Sequence, residues 1–192
     1  MTDAREQLVL AAEERFAEHG PGVSLREIAI AAGQRNNSAV NYHFGSRDGL
    51  IEAVIELRTA AMEEARVRML ADAVGTDLEL ADLVRILIEP MLTTPYAQGS
   101  THYARFIEQV RTHPAVAEAL RDGDRWPAVR KVTTMIAAEL EHLPRPTRRH
   151  RIAAMSTAMF ALAADRERER ADGRRYLGVD ELVRMLTGML TA

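Results

Sequence analysis

A chain of 192 residues, 47% of them hydrophobic and 28% charged, can bury a full core, and that balance excludes wholesale disorder. Its net charge of −3 argues against a protein that coats nucleic acid nonspecifically, so any DNA contact has to be local. Cysteine is absent, which removes disulfides and thiolate metal sites, and no apolar run is long enough for a bilayer; with a charged N-terminal stretch lacking a signal core, a cytoplasmic location and no membrane partner are expected.

Aromatic residues are few, and Ala, Leu, Arg and Glu dominate, which is a helix-forming vocabulary. From Asp3 to His19, Leu8, Ala12 and Phe16 recur at i, i+4 and i+8 with Val9 beside them, while Glu and Arg fill the other faces; Gly20-Pro21-Gly22 ends this helix. Ser24-Leu25-Arg26-Glu27 has the capping-box pattern and opens a short helix with Leu25, Ile28, Ala29 and Ala32 on one stripe, stopped by Gly33. A second short helix is expected over roughly residues 37–42, turning Val40 and Phe44 inward and Asn37, Ser38 and Asn41 outward. After Gly45, Ser46 can cap a long helix to Ala73 whose apolar stripe runs through Leu50, Val54, Leu57, Ala61, Ala65 and Met69. Gly75 breaks it, and Thr76-Asp77-Leu78-Glu79 repeats the capping-box spacing for a helix reaching Leu92, interrupted near Pro90. A loop over Tyr96–Gly99 precedes helices expected over 101–111, 114–121, 126–142, 147–170 and 179–190. The expected fold class is all-α, with the first three helices, over residues 1–47, forming one module and the helices of 48–192 another.

Two short helices joined by a glycine-containing turn, behind a longer supporting helix, describe a helix-turn-helix. A recognition helix must present side chains that pair with base edges, and Asn and Arg do so bidentately. Arg35, Asn36, Asn37, Ser38 and Asn41 supply that chemistry, although a solvated polar turn would use the same residues. The wider run GVSLREIAIAAG…AVNYHFGSRDGL narrows the choice. Through Gly22, Ser24, Leu25, Ile28, Ala29, Ala32, Gly33, Tyr42, His43, Phe44, Ser46, Arg47 and Leu50 it resembles the N-terminal domain of TetR-family regulators, over roughly the first quarter of the chain. The resemblance implies phosphate contacts at Ser24, Tyr42, His43 and Arg47, with Arg26 and Arg35 as further local cations for phosphates. QRNNSAVN, between Gly33 and Tyr42, is one residue longer than the commonest pattern, and Asn41 stands where an aromatic is frequent.

The resemblance makes the module over residues 1–47 a helix-turn-helix DNA-binding domain. It implies that the remainder, 48–192, is a helical ligand-binding and dimerisation domain, with a small-molecule pocket among the helices and a homodimer interface on the last two long ones. Ile152, Met155, Met159 and Leu162 form one stripe and Leu182, Met185, Leu186 and Met189 another; monomer core would use the same residues, and periodicity does not separate the two readings. Pocket candidates are Met62, Met69, Met91, Tyr96, His102, Tyr103, Phe106, Gln109, Trp126 and Met135, with Tyr103 and Gln109 preferred for their polar tips; for any single one of them ordinary core is the favoured reading. Asp165–Arg170 is a solvated charge run, and His142 and His150 lack convergent ligands, so no metal or other cofactor is expected. The expected function is a ligand-responsive repressor that binds a pseudo-palindromic double-stranded operator as a dimer and is released when a small effector moves the helix beginning at Ser46. Activation stays open. The rivals are an all-α enzyme, disfavoured because GxxxxGK[ST], HExxH and a Cys nucleophile are missing, and a helical adaptor without DNA contact.

Overall fold

In the computed structural model, residues 3–34, 38–94, 102–116 and 124–192 are described, and all regular structure among them is helical. The order is α1 (Ala4–His19), α2 (Leu25–Ala31), α3 (Ala39–Phe44), α4 (Arg47–Asp72), α5 (Leu80–Thr93), α6 (Tyr103–Val110), α7 (Pro127–Glu139), α8 (Arg145–Ala171) and α9 (Val179–Thr191). Residues 114–116 are also helical. No helix among the described residues is long and apolar enough to cross a membrane.

Local chemistry explains most boundaries. The Ser24 capping box forms: the Glu27 backbone N–H donates to Ser24 Oγ at 3.1 Å, and the Ser24 N–H donates to Glu27 Oε2 at 2.9 Å. The Gly49 N–H donates to Ser46 Oγ at 3.1 Å, which satisfies one of the open donors at the start of α4. Two expectations shift. α3 starts at Ala39 and runs to Phe44, about two residues beyond the expected window, while Arg35, Asn36 and Asn37 lie outside the described residues. α5 opens at Leu80 and not after Thr76, because the Thr76 N–H turns back to the Ala73 carbonyl at 3.0 Å and closes the turn after α4. Asp82 Oδ2 then accepts the Glu79 N–H at 3.1 Å, so the capping residues sit one turn later. Nor does Pro90 interrupt the helix. It is buried inside α5, and in the turn before it the Leu87 carbonyl accepts Arg66 Nη2 at 2.9 Å.

By compactness the chain divides into two units, residues 1–59 with 96–122, and residues 60–95 with 123–192. The boundary expected after Arg47 follows the motif; the compact units instead divide inside α4, between Thr59 and Ala60. In the first unit α1 packs on α6 and α2, around fully buried Leu8, Phe16, Ile28, Val40, Leu50 and Phe106. The Phe16 and Phe106 rings lie 6.0 Å apart. Each fully buried large side chain contributes about 1.5–3 kcal/mol relative to exposure. In the second unit α5 packs on α7 and α9, and α8 on α9, around Leu83, Val84, Val132, Ile136, Met155, Leu182 and Leu186.

The buried side of α4 departs from the expected stripe. Leu57, Ala61, Ala65 and Met69 are half-buried, whereas Arg58, Thr59, Glu63 and Arg66 are buried. Each polar group has a specific partner. Arg58 Nε donates to Glu13 Oε2 at 2.7 Å, and Thr59 Oγ1 lies 3.3 Å from the Tyr103 hydroxyl. Glu63 accepts the backbone N–H groups of Ala128 and Val129 at the start of α7. A buried polar group is tolerated only when so paired, and an apolar pattern search passes over it.

Candidate nucleic-acid interface

α2 and α3 are anchored by Ile28, Ala29 and Val40 and present polar groups on the other side. Ser38 and Asn41 are exposed, as is Arg26. Tyr42 is 85% exposed, unusual for so large a ring without a partner surface. His43 is half-buried and meets the Tyr42 ring edge-on, with centroids 5.0 Å apart. Phe44, expected inward, is half-buried and lies under the Arg5 guanidinium, 5.2 Å from its ring centroid. Arg5 thus joins the positive charges around α3; the sequence placed it only on the polar face of α1.

Two residues marked for phosphate contact have structural bonds. Ser24 Oγ donates to Glu27 Oε2 at 2.7 Å, and that bond, followed by the one from the Ser24 backbone, lowers the Glu27 carboxyl below its usual range. Arg47 Nη1 donates to the Pro21 and Val23 carbonyls at 2.7 and 2.6 Å, and its guanidinium lies 5.9 Å from the Phe16 ring centroid. It braces the turn between α1 and α2. Gly49 is a further site requirement that sequence reasoning passed over. A Cβ there would lie 2.2 Å from the Phe44 carbonyl oxygen, so α4 can leave the end of α3 this tightly only with glycine. The visible signal was a glycine inside the first turn of an otherwise well-formed helix.

The other candidates separate. Tyr103 and Phe106 are buried in the first unit, Gln109 is exposed, and Tyr96 lies outside the described residues. His102 is half-buried on the wall of a cleft of about 550 Å³ in the first unit, the only pocket candidate on that wall. Met62 and Trp126 are buried in the second unit; Met69, Met91 and Met135 pack partly buried against its core. Of the interface candidates, Met155, Met159, Leu182 and Leu186 are core, and Ile152 and Leu162 pack against that core. Met185 and Met189 remain exposed, at 42% and 37%.

A short helix with a polar outer face, held behind a capped helix and a glycine turn, defines a helix-turn-helix protein on an all-α scaffold. Residues 8–54 match the model of the bacterial regulatory proteins of the tetR family. A stretch of 47 residues is 47% identical to the HTH-type transcriptional dual regulator CecR of Shigella flexneri, covering 24% of this chain and 21% of that protein. The match therefore spans about a fifth of that relative's length. The N-terminal domain, over residues 8–54, is thus similar to that of the tetR family of bacterial regulatory proteins. The whole fold of the chain is similar to that of a Mesorhizobium loti MAFF303099 protein described as a TetR-family transcriptional regulator (TM-score 0.56, 15% identity, 98% of this chain and 93% of that one). A TetR-like transcriptional regulator from Rhodococcus sp. RHA1 shares it as well (TM-score 0.51, 21% identity, 100% and 96%).

Proposed function

We propose that this chain is a DNA-binding transcriptional regulator that grips a pseudo-palindromic operator as a homodimer, represses from it, and is released by a small-molecule effector. One observation carries the DNA reading: in a domain similar to that of this family, α3 buries Val40 and turns Ser38, Asn41 and Tyr42 out to solvent. Proteins of the family bind operators and effectors, usually as dimers. Two copies of α3 would enter successive major grooves about 34–36 Å apart. Asn41, with Arg35, Asn36, Asn37 and Ser38, would read base edges; Arg26, Tyr42 and His43 would meet phosphates, joined by Arg5. Arg47 would act by holding the turn. The effector would bind in the residues 48–192 domain, where Met62, Met69, Met91, Trp126 and Met135 lie, and would shift α4. It can do so only by preferring the nonbinding conformation, and the operator then weakens effector affinity by the same factor. Activation from the same operator is the second reading, favoured by one fact: the relative CecR is named a dual regulator.

The test is footprinting on the DNA flanking the chain's own gene. The unaltered protein should protect a two-fold-related site. An Asn37→Ala, Asn41→Ala variant should lose about 1–3 kcal/mol per broken base contact while still sedimenting as a dimer. Protection surviving with the same sequence preference would refute this assignment of readout; catalytic turnover without any DNA shift would favour the enzyme reading.

A further inference from the structure

Where sequence spacing gave no metal set, the fold assembles one. We infer that the first unit binds a divalent transition-metal ion on Glu14, Glu18 and His102. Glu14 and Glu18 stand one turn apart on α1 and so share a face. His102, the residue that opens α6, brings an imidazole to that face across more than eighty residues of chain. One ligand atom from each of the three lies within 4.8 Å of the others. An ion bound at roughly 2.0–2.2 Å holds its ligands some 3–4 Å apart, so small side-chain rotations close the set.

Two independent features favour an ion over an incidental cluster. The His102 backbone is held: its N–H donates to Glu13 Oε1 at 2.8 Å, and the other oxygen of that carboxylate is bound by Arg58. Finally, Glu14 and His102 line the cleft of about 550 Å³, which leaves room for water in the remaining coordination positions and reaches Ala32 and Gly33 at the turn after α2. One competitor is present. Glu18 Oε2 accepts Arg15 Nη1 at 3.2 Å and lies 3.6 Å from His19 Nε2, but such exposed pairs are weak.

One imidazole and two carboxylates suit a borderline ion such as Zn²⁺ or Co²⁺; Ca²⁺ asks for six to eight oxygens, and a soft ion for thiolate or thioether. Binding ties the start of α6 to α1 within the unit that carries α2 and α3. It stabilises that unit in proportion to the logarithm of free metal.

The full chain, stripped with a chelator and dialysed, would be titrated with Zn²⁺ by calorimetry and with Co²⁺ by visible absorption. We expect one ion per chain, a Co²⁺ spectrum of nitrogen–oxygen ligation, and a Tm that rises with Zn²⁺ but not with Mg²⁺. His102→Ala should weaken binding at least tenfold. Glu18→Gln, at an exposed position that does not disturb folding, should do the same with an unchanged metal-free Tm. Absence of stoichiometric binding, or unchanged affinity in both variants, would overturn the site. No DNA enters these measurements, so the operator reading fails or stands separately.

Discussion

Glu13 and Arg58 show how much one residue's surroundings can change its meaning. In the sequence, Glu13 belongs to the polar face of an amphipathic helix; in the structure it is 1% exposed and Arg58 is 2% exposed. Two charges out of water persist only because each is bonded, and removing one strands the other. Glu13→Gln is expected to lower unfolding free energy by about 3–5 kcal/mol in urea denaturation, more than a surface Glu→Gln change would cost. Gly49 makes a steric case at the same scale. Placing Ala where a Cβ would overlap the Phe44 carbonyl should cost roughly 1–3 kcal/mol, because α3 and α4 must separate to admit it. The same variant should bind operator DNA more weakly than its loss of stability alone explains, since α3 is the element displaced; a mobility shift at a temperature where both proteins are folded would show it.

Among the elements, α2 depends most clearly on local chemistry. Ser24→Ala removes one half of its capping box and should destabilise the protein by about 0.5–2 kcal/mol, read as a lower Tm. The other half makes this helix acid-sensitive. Because bonds from Ser24 lower the folded-state Glu27 pKa, the stability it contributes is present above the unfolded carboxylate pKa and is lost as pH falls through the lower folded value. A Glu27→Gln protein should therefore show a shallower loss of Tm than the parent below pH of about 4.3. This cap was legible because all its groups lie within four consecutive residues. The cap of α5 was not, since Thr76 and Glu79 offer rival starts three residues apart. The choice falls to Glu79 once the Thr76 N–H is taken by the turn after α4. α6 was legible as a helix but not in its place: nothing in its own residues says that Tyr103, Phe106 and Ile107 pack with α1 in the unit that contains the DNA-binding motif.

At the scale of the whole molecule, the periodic stripes of α8 and α9 divide by burial. Leu182, Leu186 and Met155 are enclosed by their own chain, whereas Met185 and Met189 face outward beside exposed Gly188. On α8, Ala153, Ala154 and Thr157 are exposed and small, which permits close approach of a second helix pair. If the proposed homodimer forms through this face, the Met185→Glu, Met189→Glu double variant should sediment as a monomer at concentrations where the parent sediments as a dimer, with a folded far-ultraviolet spectrum; an unchanged sedimentation profile would place the interface elsewhere.

What the linear chain determined by itself is what acts over short range: the helical vocabulary, the serine and glycine punctuation around α2, and the run from Gly22 to Leu50 that marks the DNA-binding domain. These follow from backbone propensity and from bonds closed within a turn of helix. Tertiary structure alone decided that α4 buries polar Arg58, Thr59, Glu63 and Arg66, that α6 joins α1, and that Glu14, Glu18 and His102 converge. The physical reason is the same in each case. A buried charge, a packing partner or a ligand set is defined by groups far apart in the chain, and no local pattern of hydrophobicity encodes which of them will meet.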